Sequence, residues 1–140
     1  MGCDIDARMV EIAKRNAEEA GVSEQIVFKQ MRLQDLHTDK INGVIVSNPP
    51  YICEHERTEM EAHVLDYEPA SALFVPDADP LLFYRALARL GQQLNAAAVL
   101  VEINQAYGQE TVEMFQSSGY SNVELRRDIY GKDRMIKAVR

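Results

Sequence analysis

The sequence predicts an α/β fold, in which a mostly parallel sheet carries helices on both faces and ends in an antiparallel hairpin. Short apolar runs typical of buried strands alternate with stretches whose apolar residues recur at helical spacing. Two strand-like segments close the chain and are joined through Tyr130-Gly131-Lys132, a sequence typical of a hairpin turn. With 140 residues, the chain is long enough for one domain with a sizeable core.

Composition narrows the class of protein. A hydrophobic content of 46% and a charged content of 26% are ordinary for a globular protein, and no apolar run approaches membrane-spanning length or a signal peptide. Two cysteines do not make a disulfide framework, so a cytoplasmic location is predicted. The net charge of −7 disfavours a nucleic-acid binder and favours a protein or small-molecule substrate.

The chain opens with a strand end, a turn and a helix. Asp6 is a good N-cap for a helix predicted from Ala7 to Ala20, and Gly21 stands at the usual stop position. Asp4 lies at the end of the preceding strand, where doubly wound folds place an acidic residue on ribose hydroxyls. The alternative for each aspartate is a capping or loop role.

Two further strands and a long polar segment follow. One strand runs from Ile26 to about Met31, and another from Val44 to Ser47. The segment from Ile52 to Asp79 has no clear period, and its length predicts a functional loop or lid.

The second half continues the alternation. Asp79-Pro80 is typical of an N-cap and first helical residue, and a buried strand from Ala96 to Ile103 carries Glu102 near its end. A helix from Tyr107 to Ser118 is expected to stop at Gly119.

The segment Ser47-Asn48-Pro49-Pro50-Tyr51 is the most informative stretch of the chain. Because each proline pushes the residue before it into an extended conformation, the Asn48 and Pro49 carbonyls cannot be used by a helix. They are held at a strand end, where open α/β sheets bind ligands, beside the Asn48 amide and the flat face of Tyr51. This acceptor cluster suits a planar group that carries an NH₂, although an isolated Pro-Pro is usually only a turn.

The motif resembles the Asn-Pro-Pro-Tyr motif of S-adenosylmethionine-dependent methyltransferases that act on amide or exocyclic amine nitrogens. From about Val44 to Arg140, the spaced motifs Asn-Pro-Pro-Tyr-Ile, Tyr-Glu-Pro, Asp-Pro-Leu-Leu-Phe-Tyr-Arg, Glu-Ile-Asn and Gly-Lys-Asp-Arg resemble the peptide chain release factor glutamine N5-methyltransferases. The part before Val44 looks closer to ribosomal RNA base methyltransferases of the same superfamily.

This resemblance implies a Rossmann-like methyltransferase sheet, S-adenosyl-L-methionine as cofactor and a release factor as protein substrate. The implied reaction transfers a methyl group to the side-chain amide nitrogen of a glutamine. The residues implied fall into three groups. The catalytic group is Asn48, Pro49 and Tyr51; the cofactor-binding group is Asp4, Asp35, Leu36 and Asn48; and the substrate-binding group is Asn48, Pro49, Pro50, Tyr51, Glu68 and Pro69. Asp35 and Leu36 would contact the adenine, although a solvated loop is an equally good interpretation of that segment. Two interpretations of Glu102 are equally supported: it lines the same end of the sheet as the Asn-Pro-Pro-Tyr motif, or it has a structural role.

The fold also implies a first strand ending in a Gly-rich turn, and no such segment precedes Met1. Residues 1–140 are therefore predicted to be a partial methyltransferase catalytic domain, truncated at the N-terminus. In the family, the absent strand lies between the strands of Asp4 and Asn48. Its absence predicts an unpaired sheet edge and a homo-oligomer that forms through that edge.

Other functions remain open from sequence alone. The Asn-Pro-Pro-Tyr motif also occurs in methyltransferases that act on an adenine or guanine amine in RNA or DNA, which is one alternative. The absence of the Gly-rich turn favours another alternative, a catalytically inactive, self-associating fragment. No metal site is predicted. The spacing Cys53-x-His55 is only a weak signal of a metal site, because no second pair of ligands follows it. Cys3, His37 and His63 do not form such a pair.

Overall fold

The computed structural model describes residues 1–36, 43–60 and 67–140, so that His37 and His63 lie outside the described residues. The chain forms two compact units, Met1–Thr38 and Asp39–Arg140.

The first unit contains a strand–helix–strand motif. Strand β1 (Gly2–Asp4) leads into helix α1 (Ala7–Glu19) and then into β2 (Phe28–Gln30), which pairs in parallel with β1. The Asp6 side chain caps α1 by accepting a 2.8 Å hydrogen bond from the backbone N–H of Arg8. These features confirm the predicted strand end, N-cap and helix.

The second unit is built on a sheet of four strands, which are β3 (Val44–Ser47), β6 (Ala98–Glu102), β7 (Asn122–Arg127) and β8 (Asp133–Val139). Their spatial order is β3-β6-β8-β7. Strand β3 runs parallel to β6, and the closing hairpin β7–β8 is antiparallel, as predicted. Because β8 rather than β7 lies beside β6, the β6–β8 pair is antiparallel as well, which makes this sheet mixed.

The segment from Ile52 to Asp79, predicted as a loop or lid, contains short regular elements in its described parts. Strand β4 (Ile52–Cys53) pairs in parallel with β5 (Phe74–Val75), which directly follows a one-turn helix, α2 (Ala70–Leu73). Elements this short carry no periodic pattern, and sequence reasoning could not detect them.

Helices α3 (Leu82–Gln93) and α4 (Gly108–Ser117) pack on the sheet face that carries Val99 and Ile136. The buried side of α3 consists of Tyr84, Leu87, Ala88, Leu90 and Gly91, and the buried Leu94 follows the helix. The predicted start of α3 at Asp79-Pro80 is two residues too early. The Asp79 carboxylate pairs with Arg85 instead of capping the helix, and the helix begins at Leu82.

The opposite face of this sheet carries Val46, Leu100 and Met135. Val46 is 76% exposed, and its strand β3 is an edge of the sheet among the described residues. No helix in the described part of the chain is long and apolar enough to cross a membrane.

Candidate active site

The segment Asn48–Tyr51 begins where strand β3 ends. Because β3 and β6 are parallel, with Ser47 opposite Val101, their carboxyl ends meet at one edge and bring Asn48 next to Glu102. Asn48 is exposed there, whereas Pro49 is buried and Pro50 is half-buried. The buried proline anchors the turn, so the Asn48 amide stands at the strand end, as predicted.

Tyr51 is held through its hydroxyl group. This hydroxyl donates a 2.7 Å hydrogen bond to Oε1 of Glu102, which lies 51 residues further along the chain. Burial, followed by the hydrogen bond to the Glu102 carboxylate and its charge, raises the pKa of Tyr51 to about 12. Tyr51 is therefore a neutral donor at physiological pH, and its ring has one preferred position.

Asn104 holds the same segment through the backbone. Its buried side chain donates from Nδ2 to the Tyr51 carbonyl at 3.1 Å and to Oε2 of Glu56 at 2.7 Å. Its Oδ1 accepts a 2.9 Å hydrogen bond from the Ala106 N–H. Both amide hydrogens and the carbonyl are thus used, which leaves Asn104 one orientation.

Glu56 extends this hydrogen-bond network from Asn104 to Cys53. Its Oε2 also accepts a 2.7 Å hydrogen bond from the backbone N–H of Cys53. Sequence reasoning assigned no role to Glu56 or Asn104. The available signal was a polar Asn104 directly after the buried strand ending in Glu102-Ile103.

A cleft of about 300 Å³ opens beside Asn48 on the sheet face away from α3 and α4. Its lining is mostly apolar and includes Asn48 and Glu102 from the ends of β3 and β6. A mostly apolar cleft with a few polar groups is typical of a small-ligand site. Its further lining residues are Val46, Ser47, Leu100, Val101, Arg126, Met135, Ile136 and Lys137.

The remaining predicted cofactor residues lie in the first unit. The exposed Asp4 ends strand β1, and its Oδ1 accepts a 2.8 Å hydrogen bond from the Asp6 N–H. Asp35 forms a 2.8 Å ion pair with Arg32, and the side chain of Leu36 is buried. Their cofactor roles stay predictions.

Glu68 and Pro69 are both exposed, and Pro69 is the N-cap residue of α2. Among the described residues, no hydrogen bond joins them to the Asn48–Tyr51 segment. Their role in a glutamine pocket stays a prediction.

Comparison with known proteins gives these features a context. Residues 1–65 match the sequence profile of a family described as RMKL-like, methyltransferase domain. The release factor glutamine methyltransferase of Bacteroides thetaiotaomicron is 47% identical over 144 residues, covering 98% of this chain and 50% of that protein. The enzyme of the same name from Flavobacterium psychrophilum is 40% identical, covering 96% of this chain and 47% of that protein.

This chain is a sequence relative of the release factor glutamine methyltransferases. It spans about half the length of these curated relatives. YpsC, a candidate RNA methyltransferase of Bacillus subtilis, is 62% identical over 48 residues, covering 34% of this chain and 12% of that protein. Both predicted resemblances, to release factor and to RNA methyltransferases, are confirmed.

Solved structures confirm the Rossmann-like methyltransferase fold. The delta-N METTL16 MTase domain matches with a TM-score of 0.68 at 16% identity, covering 98% of this chain and 59% of that one. A candidate methyltransferase, SMU.472, solved in complex with SAH, matches with a TM-score of 0.57 at 24% identity, covering 99% and 30%. The predicted cofactor class agrees with the ligand of that protein.

Proposed function

We propose that this chain is part of the catalytic domain of a methyltransferase that transfers a methyl group from S-adenosyl-L-methionine to a glutamine side-chain amide of a peptide chain release factor. The observation that carries the proposal is the 47% identity to a release factor glutamine methyltransferase along nearly the whole chain. The Asn48–Tyr51 turn, held by Glu102 and Asn104, supports it with suitable chemistry. A cytoplasmic location stays a prediction from the cysteine content.

The amide nitrogen of glutamine is a poor nucleophile, because its lone pair is delocalised into the carbonyl. When bound, S-adenosyl-L-methionine would supply a methyl group attached to a sulfonium sulfur, and the sulfur would keep the electron pair of the broken C–S bond. The Asn48 side chain and the Pro49 carbonyl accept hydrogen bonds from the substrate NH₂, which aligns the nitrogen and stabilises its developing positive charge. The surplus proton then leaves the nitrogen for water.

Tyr51 provides an aromatic surface beside this amide. Because its hydroxyl and its carbonyl are both hydrogen-bonded, the ring needs little reorganisation when the substrate binds. Orientation is the main contribution of these residues.

Two carboxylates of the first unit have the chemistry to hold the cofactor. Asp4 is exposed at a strand end, and the Asp6 N–H fixes its orientation, which suits an acceptor for ribose hydroxyls. The Asp35 carboxylate could accept a hydrogen bond from an adenine amino group. It would have to do so while it remains in its 2.8 Å ion pair with Arg32.

The first test is calorimetric titration of this chain with S-adenosylhomocysteine. A dissociation constant in the micromolar range, about −8 kcal/mol, is expected if the described residues hold the cofactor. Binding should weaken in Asp4→Asn and stay unchanged in Asp128→Asn, which alters a carboxylate of the hairpin turn. Absence of binding would overturn the cofactor assignment for this chain.

The second test is transfer of a labelled methyl group to a purified release factor. Incorporation should be lost in Asn48→Ala and kept in Asn122→Ala, an exposed asparagine at the start of β7. If a release factor whose acceptor glutamine is replaced is labelled equally well, the assigned substrate is wrong.

A nucleic-acid amine is the second candidate substrate. The 62% identity over 48 residues to a candidate RNA methyltransferase favours it, whereas the net charge of −7 disfavours it. Methylation of RNA, with binding that weakens steeply as salt rises, would establish this alternative.

A further inference from the structure

Three side chains of types that can ligate a metal ion come together in the second unit, near the Asn48–Tyr51 turn. One donor atom each from Cys53, His55 and Asp77 lies within 4.8 Å of the donors of the other two. Nδ1 of His55 is 2.8 Å from Oδ1 of Asp77. A thiol, an imidazole and a carboxylate are three of the ligand types that bind zinc in proteins.

The fold forms this cluster from two separate segments. The parallel pairing of β4 with β5 places Cys53 opposite Val75, two residues before Asp77. The backbone N–H of His55 also donates a 3.1 Å hydrogen bond to Asp77 Oδ1, across 22 residues of sequence. The sequence predicts no metal site, because Cys53-x-His55 is a weak spacing without a second ligand pair and Asp77 lies 22 residues after His55.

The spacing fits a tetrahedral ion. Donors at the usual zinc distances of about 2.0–2.3 Å lie about 3.3–3.6 Å from one another around a tetrahedral centre. Since the three donors already lie within 4.8 Å, shifts of about an ångström bring them to these distances. His55 and Asp77 are exposed, so their side chains have room for this adjustment.

We propose that Cys53, His55 and Asp77 bind a single thiophilic divalent cation of the zinc class, with water in the fourth position. The thiol of Cys53 hydrogen-bonds the Tyr107 hydroxyl at 3.6 Å. When the ion binds, the thiol proton passes to water, and the Tyr107 hydroxyl can then donate to the thiolate sulfur as an outer-shell partner.

The same three residue types also occur in nucleophilic triads, in which a thiolate attacks the substrate. Burial argues against that interpretation, since Cys53 is fully buried and a substrate carbonyl could not reach its sulfur. A metal ion is small enough to approach from the side where His55 and Asp77 are exposed.

The consequence of ion binding is local stabilisation. Strands β4 and β5 are two residues long, and a bound ion adds a cross-link where their ladder ends. Cys53 follows Tyr51 by two residues, and its N–H is bonded to Glu56, which also binds Asn104. The site therefore supports the segment that leaves the Asn48–Tyr51 turn.

The experiment is titration of the reduced chain with cobalt(II), followed by its displacement with zinc(II). Cobalt bound through Cys53 is expected to give a thiolate-to-metal charge-transfer band in the near ultraviolet, together with the visible bands of a tetrahedral ion. Cys53→Ser should abolish the charge-transfer band. Because even outer-shell partners are worth about 10–100-fold in affinity, His55→Gln and Asp77→Asn should each weaken binding by at least about tenfold.

Cys3→Ser is the matched control, because Cys3 is the other cysteine of the chain and is exposed in the first unit. This variant should keep the wild-type band and affinity. Circular dichroism verifies that each variant is folded, and Asp77→Asn tests the site even if Cys53→Ser does not fold. The proposal is overturned if wild type gives no thiolate band, if Cys3→Ser abolishes it, or if Asp77→Asn and His55→Gln bind cobalt as tightly as wild type.

Discussion

The Tyr51 hydroxyl donates a 2.7 Å hydrogen bond to the carboxylate of Glu102, which joins the proline turn to the end of the neighbouring strand β6. Tyr51 is half-buried, and Asn104 holds its carbonyl at the same time. These two anchors on Tyr51 add to the backbone restriction from the two prolines and give the turn a defined orientation.

This relationship predicts a measurable coupling between Tyr51 and Glu102. Since a hydrogen bond to a charged group is worth about 1.5–3 kcal/mol, Tyr51→Phe and Glu102→Gln should each destabilise the fold by roughly that amount or less. Their effects should not add in the double variant. Urea unfolding of wild type, both single variants and the double variant measures the coupling. Tyr130→Phe, at an 81% exposed position, is the control, and fully additive effects would contradict the prediction.

The raised pKa of Tyr51 predicts a loss of stability in alkali. Its value is about 12 in the folded protein against 10.0 for an unperturbed tyrosine, so the native state keeps a proton that the unfolded state releases between these pH values. The free energy of unfolding should therefore be unaffected by this group below pH 10 and fall as pH rises from 10 to about 12. Urea unfolding on either side of pH 10 tests this, and the fall should be shallower in Tyr51→Phe. An equal fall in that variant would assign the effect to other groups.

Asn104 should be sensitive to substitution because its side chain is buried and fully hydrogen-bonded. Asn104→Ala leaves the Tyr51 carbonyl and the Ala106 N–H without this partner, which should cost about 1–3 kcal/mol. Asn104→Asp should cost more at neutral pH, since a second carboxylate would face Glu56. Thermal unfolding compares both variants with Asn122→Ala, whose exposed site should change stability by less than about 0.5 kcal/mol. A stable Asn104→Asp variant would argue against the direct contact with Glu56.

Gly91 lies where helix α3 packs closely against Val99 of strand β6. A Cβ at this position would lie 2.8 Å from Cγ2 of Val99 and would collide with the Tyr120 hydroxyl, which donates to the Ala88 carbonyl. Although alanine favours a helix more than glycine by about 1 kcal/mol, overpacking of about 1–3 kcal/mol should prevail in Gly91→Ala. Adding Tyr120→Phe should recover part of the loss in a denaturation experiment. If Tyr120→Phe recovers no stability, the clash with Val99 is the main cause of the loss.

Strand β3 is an edge of its sheet among the described residues, and this exposed edge predicts self-association. Val44 and Val46 are 52% and 76% exposed on this strand, and unpaired apolar edges tend to pair with another chain. Sedimentation velocity should show a concentration-dependent dimer that Val46→Lys weakens. Val27→Lys, at a 60% exposed position in the first unit, should leave the dimer intact. A strictly monomeric wild-type chain would refute the prediction.

Local patterns were sufficient for a large part of this fold. The Asp6 cap, helix α1 with Gly21 after it, strand β3 and the closing hairpin each depend on neighbouring residues whose propensities agree. The proline turn after β3 was also readable, because two prolines restrict their own backbone and that of the residue before each of them.

Other features were decided only by tertiary structure. Tyr51 and Glu102 are 51 residues apart, Glu56 and Asn104 are 48 apart, and Asp77 reaches His55 across 22 residues. The pairing of β3 with β6 and of β4 with β5 creates these contacts, and no local pattern encodes which strands become neighbours. The sequence by itself determined the longer elements and the turn that carries Asn48. Strand pairing and register decided which side chains hold that turn and which three could share a metal ion.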